Sequence, residues 1–120
     1  MEFFEEKGDK KLFVWQRADE LVVQIYNATR DFPKEELYGL ISQLRRAAVS
    51  VPANIAEGMG RQNRKETKQF LNVALGSLNE TEYLIGLSQR LGYLRSEDHD
   101  EINKLRMETG KMLWGLYRSF

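Results

Sequence analysis

Few side chains in this sequence are suited to covalent or acid–base chemistry. Cysteine is absent and His99 is the one histidine, which excludes thiol catalysis, disulfides and sulfur-ligated zinc. His99 lies in "EDHDE", the pattern of a solvated helix start rather than of a positioned base. A dinuclear carboxylate site in a bundle needs Glu-x-x-His pairs on two helices, and the sequence has none. "GMGRQNRKET" lacks the Gly-Lys-Ser/Thr ending and the preceding strand of a phosphate loop. No catalytic residue, metal site or cofactor is expected, and the chain reads as a non-enzyme.

Two other groups of polar residues stand out. Arg61, Arg64, Lys65 and Lys68 are four cations facing one carboxylate, Glu66. They coincide with the expected start of a helix, whose free N–H groups favour phosphate, so this stretch is the candidate nucleic-acid site. Residues 95–101 run the other way, with Arg95 against Glu97, Asp98, Asp100 and Glu101. The second group shares a helix face: Arg46, Ser50, Asn54 and Glu57, with Glu80 and Glu82 as candidate partners elsewhere. Charges along such a seam need partners if buried. The seam is expected to be structural, fixing the register between helices.

Helices must carry these residues, since β-branched alternation is absent and apolar residues recur at helical spacing. A first helix is expected from about Leu12 to Arg30 along Trp15, Ala18, Val22, Ile25 and Thr29. A second follows Pro33, from about Lys34 to Glu57, along Leu37, Leu40, Ile41, Leu44, Ala48, Val51 and Ile55. Asn63 caps a third running to about Leu91, with Glu66 placed as in a capping box. After the turn "GYLRS", Ser96 caps a fourth along Ile102, Leu105, Met112, Leu113, Leu116 and Phe120. Similar lengths and short loops predict an all-α, antiparallel up-down-up-down four-helix bundle over residues 12–120, preceded by an N-terminal extension, 1–11.

"SVPANIAEG" places Pro52 inside the second helix, where it removes an N–H and crowds the Ala48 carbonyl. The apolar stripe keeps its phase across Pro52, which predicts a kinked but continuous helix. Ser50 and Asn54 are within reach of the freed backbone groups, and Gly58 is expected to end the helix in the left-handed conformation.

The third helix carries more apolar surface than one stripe needs. Phe70, Ala74, Leu78 and Leu84 suit the core, leaving Leu71, Val73, Leu75, Tyr83, Ile85 and Leu87 on other sides. Ala74, Gly76 and Ser77 form a small patch suited to close backbone approach. Met107 and Trp114 repeat the surplus on the fourth helix. The excess predicts a subunit interface and a closed homo-oligomer.

Eighteen basic and eighteen acidic side chains cancel, which lowers the expectation of strong generic nucleic-acid binding. No apolar run approaches the ~20 residues of a membrane span, and the acidic start lacks the order of a signal peptide. A soluble, cytoplasmic protein is expected.

The segments "VWQRADEL", "DFPKEELYGL", "QLRRAAVSVPANIAEG", "FLNVALGSLNE" and "RLGYL" follow one another in order. Together they resemble the small four-helix-bundle proteins encoded within intervening sequences of bacterial 23S ribosomal RNA genes, from Leu12 to the C-terminal "KMLWGL". The resemblance implies a homopentamer and no defined biochemical activity. A related branch comprises the accessory proteins of diversity-generating retroelements, basic pentamers that bind nucleic acid and a reverse transcriptase; the neutral charge here departs from it. The matching positions, Arg46, Ser50, Pro52, Asn54, Glu57, Gly58, Gly76, Ser77 and Glu80, mark the fold and its polar seam.

Two functional expectations follow. In the first, a ring-like homopentamer binds RNA or DNA through Arg61, Arg64, Lys65 and Lys68, weakly per subunit and in a salt-dependent way. In the second, the oligomer is a scaffold that docks a protein such as a reverse transcriptase and does not touch nucleic acid itself. Neither involves a membrane.

Overall fold

The computed structural model describes residues 9–120, with side chains from Lys11 onward. It contains four long helices: α1 (Asp9–Thr29), α2 (Ser42–Met59), α3 (Arg64–Arg90) and α4 (Ser96–Arg118). The expected extension, residues 1–11, lies outside the described residues as far as Gly8, and α1 already begins at Asp9. No strand occurs among the described residues, so the all-α reading holds. Helix α2 lies along α3 in the most extensive of the helix–helix contacts; α1 packs on α2 and α4, and α3 on α4. The body measures 43 × 25 × 22 Å. No described helix is long and apolar enough to cross a membrane.

One apolar core runs the length of the four helices. On α1 the buried line is Val14, Ala18, Leu21, Ile25 and Thr29. Trp15, Val22 and Ala28 are only half-buried beside it, so the stripe is rotated from the one expected through Trp15 and Val22. On α3, Leu71, Ala74, Leu78, Leu84 and Ile85 are buried while Phe70 is half-exposed. Leu71 and Ile85 are therefore core residues, not surplus, each contributing roughly 1.5–3 kcal/mol by burial. Several core positions are hydroxyls that satisfy themselves. Thr29, Thr81, Ser88 and Thr109 each donate to the carbonyl one turn back, at 2.7–2.8 Å, which lets an alcohol replace an apolar residue without an unmet donor.

The second helix starts later than its periodicity suggests. Lys34–Glu36 form a 3₁₀ turn and Leu37–Ile41 a π-type turn, with Gly39 at φ −112°, ψ −109°. The break thus falls at Gly39. Glu36 stabilises it: its Oε1 accepts from the Leu40 N–H at 3.2 Å and its Oε2 from the Tyr93 hydroxyl at 3.2 Å. Leu37, expected on the core side, is consequently exposed. From Ser42 onward α2 is continuous through the buried Pro52.

Helix ends follow the local signals in part. Asn63 caps α3, accepting from the N–H groups of Lys65 and Glu66 at 2.8 and 3.2 Å. Ser96 does not cap α4: it is the first helical residue, Arg95 occupies the cap, and the Ser96 hydroxyl accepts from Gln89 instead. Gly58 is likewise not a left-handed terminator. It is buried inside α2, which ends at Met59 with Gly60 in right-handed geometry. A Cβ on Gly58 would lie 3.0 Å from the Phe70 Cβ and 3.2 Å from the Thr67 carbonyl, so this glycine permits the close crossing of α2 and α3. Among the described residues, the left-handed one is Gly92, at φ +80°. There Tyr93 N–H reaches the Ser88 carbonyl and Gly92 N–H that of Gln89, both at 2.9 Å, closing α3 as a Schellman motif.

Candidate nucleic-acid interface

The four cations read from the sequence lie together at the start of α3 and the turn before it. Asn63 orients this first turn, and the rest of the site comes from α4 and α1. Arg61 pairs with Glu57 at 3.0 Å and covers the Phe70 ring at 4.8 Å. Arg64 Nη2 donates to the main-chain oxygens of Ser119 and Phe120, both at 3.2 Å, and its guanidinium stands 5.9 Å from the Phe120 ring. The Lys68 ammonium sits 4.7 Å above the Tyr117 ring. The Lys65 side chain is exposed and makes no ion pair among the described residues.

This patch is larger than its sequence signal. Lys11 of α1 lies over the other residue at this end, Phe120, at 5.3 Å, and Arg118 ends α4 alongside. Tyr117 in turn stacks on Trp114, with ring centroids 5.4 Å apart and planes 14° from parallel. The basic end is thus interleaved with aromatic rings, with Lys11, Arg61, Arg64 and Lys68 each near a π-face. Sequence reasoning missed Lys11, Tyr117 and Arg118 because they come from chain segments far from residues 61–68. It took Trp114 as apolar surplus; the signal available was its spacing from Tyr117, three residues on a helix. Residues 95–101, with Arg95 bound to Asp98 at 3.1 Å, lie beyond the far end of α3 and form a separate acidic region.

The polar seam is divided. Ser77 Oγ donates to Ser50 Oγ at 2.8 Å, and the Asn54 amide donates to the same hydroxyl at 2.9 Å and to the Ser50 carbonyl at 2.8 Å. Asn54 therefore serves Ser50 rather than the Ala48 carbonyl beside Pro52. Glu57 turns to Arg61, and Glu82 pairs with Arg106 across α3 and α4 at 3.1 Å, so neither supplies Arg46. Arg46 and Glu80 both line an open groove of about 530 Å³ between α2 and α3, with Tyr38, Gln43, Ser50 and Ser77. Neither is in an ion pair among the described residues. The small patch also splits: Ala74 is buried, Ser77 is bound to Ser50, and only Gly76 faces open space.

His99 contacts Asp100 at 3.2 Å, and no group of three His, Cys, Asp or Glu able to hold a metal ion occurs among the described residues.

Comparison with known proteins adds a family but no activity. A Bacteroides thetaiotaomicron VPI-5482 protein of unknown function, from the S23 ribosomal protein family, has a similar crystal structure. It is 30% identical, the match covers 92% of this chain and 99% of that one, and the TM-score is 0.84. No functionally curated protein matches significantly. The family model for 23S rRNA-intervening sequence proteins matches residues 10–115. The chain belongs to the 23S rRNA-intervening sequence protein family.

Proposed function

We propose that this protein is a non-enzymatic, ring-like homopentamer of antiparallel up-down bundles that binds nucleic acid, weakly per subunit, at the basic end of each bundle. The observation that carries this reading is the convergence of Arg61, Arg64, Lys65 and Lys68 with Lys11 and Arg118 at one end. A neutral chain thereby presents a concentrated positive surface, which phosphate contacts require, and a ring multiplies it by avidity. The antiparallel arrangement is supported by end-to-end contacts, such as Arg64 at the start of α3 with Ser119 and Phe120 beyond the end of α4. Assembly uses the α2–α3 face, where Arg46 and Glu80 lack ion pairs and Tyr38, Val73 and Tyr83 are 94%, 51% and 59% exposed. Pro52 bends α2 and sets the curvature of that face.

The test is light scattering on a sizing column, with nucleic-acid absorbance followed, on wild type and on a variant combining Lys65→Glu with Lys68→Glu. A pentamer retaining nucleic acid that leaves at high salt, with retention lost in the variant and the mass unchanged, supports the reading. Retention that survives charge reversal removes the patch and favours the scaffold that docks a protein partner.

A further inference from the structure

We propose that Trp114 and Tyr117 form a base-stacking platform, and that the occupant is therefore a single-stranded polynucleotide with free base faces rather than a duplex. This deepens the nucleic-acid reading above and rests on it. The two rings are three residues apart on α4 and nearly parallel, with centroids 5.4 Å apart, an offset stack of the kind aromatic pairs prefer. Lys68 of α3 lies 4.7 Å from the Tyr117 ring. Tyr117 is thus held by a neighbouring helix, and it holds Trp114 in turn. Trp114 nevertheless remains 49% exposed. An indole already fixed in place and open to solvent binds a base with little further loss of freedom.

The surroundings decide the occupant. Lys111 and Arg118 neighbour Trp114 on the same helix, three residues before and four after, and residues 109–120 contain no Asp or Glu side chain. Together with Lys68 they surround the rings with positive charge, the complement of a phosphodiester chain. Of the exposed aromatics of the α2–α3 face, Tyr38 lies instead beside both Arg46 and Glu80, whose opposite charges offset one another, and Tyr83 has one cation, Arg90, at 5.9 Å. In a duplex the base faces are covered by their neighbours, so a stacking platform discriminates for single strands.

The experiment measures fluorescence anisotropy of three labelled probes: an unstructured RNA strand, the DNA strand of the same sequence, and the RNA annealed to its complement. They are titrated with wild type, Trp114→Ala, Trp114→Phe and Lys65→Glu. Trp114→Ala is expected to weaken both single strands roughly tenfold, leave duplex binding unchanged and keep the native mass. Trp114→Phe should recover most of the loss, and Lys65→Glu should weaken all three probes. Trp114→Ala binding like wild type, while Lys65→Glu loses affinity, overturns the platform and leaves the nucleic-acid reading standing. Equal loss on duplex and single strands overturns the single-strand preference. A smaller native mass for Trp114→Ala makes Trp114 a subunit contact and overturns the platform. Wild type that binds no probe removes both readings.

Discussion

The hydroxyl of Ser77 on α3 donates to the hydroxyl of Ser50 on α2 at 2.8 Å, and Ser50 also accepts from Asn54 at 2.9 Å. One oxygen thus joins two helices and organises the polar seam. Ser50→Ala leaves Ser77 without its acceptor and Asn54 with one of its two, at an expected cost of about 1 kcal/mol. Ser77→Ala is milder, because Ser50 keeps Asn54. Urea unfolding of the two variants measures the order, and equal effects would remove Ser50 from the centre of the seam.

Gly58 and Gly86 differ in their surroundings although both lie within helices. A methyl at Gly58 meets Phe70 and Thr67, whereas one at Gly86 meets nothing within 4 Å. Gly58→Ala is expected to destabilise by roughly 1–3 kcal/mol through overpacking. Gly86→Ala is expected to stabilise by up to ~1 kcal/mol through helix propensity. Thermal melting of the pair tests the contrast.

Gly92 at φ +80° is the left-handed residue closing α3. Gly92→Ala forces a Cβ into that region at a cost of roughly 1–2 kcal/mol. Gly92→Asn should be the better tolerated substitution, because asparagine visits this conformation more readily. A denaturation series ranking Gly, Asn and Ala in any other order contradicts the assignment.

Tyr93 responds to alkali. Burial first, and then the hydrogen bond to the Glu36 carboxylate, raise its phenol above the ordinary value of 10.0. A folded pKa above the unfolded one means that folding favours the neutral phenol. That stabilisation is complete below about pH 10 and is lost as pH rises through the folded pKa. Tyrosinate absorbance should lose a late-titrating component in Tyr93→Phe. Stability should fall with alkali more steeply in wild type than in Tyr93→Phe; identical profiles would count against the coupling to Glu36.

Pro52→Ala probes the proposed bend. It restores an N–H to a helix that is already continuous, so far-UV circular dichroism should be retained while the native mass or its stability changes. No change in either measurement removes the bend from the account of assembly.

Sequence alone determined what depends on neighbours a few residues apart. Helical period, the Asn63 cap, the passage of α2 through Pro52 and the clustering of Arg61 with Lys68 all arise within a turn or two of backbone. Tertiary structure decided whatever depends on which faces meet. Gly58 reads as a helix terminator and Gly92 only as part of the turn "GYLRS", but α3 crossing at Phe70 and Thr67 keeps Gly58 inside its helix, and the left-handed residue is Gly92. The regular start expected for the second helix gives way at Gly39, where Tyr93 from a distant turn holds Glu36. Trp114, legible in the sequence only as surplus apolar surface, stacks on Tyr117, over which α3 brings Lys68. Local signals set the conformation of a segment, whereas burial and charge are set jointly with partners whose positions only the folded chain defines.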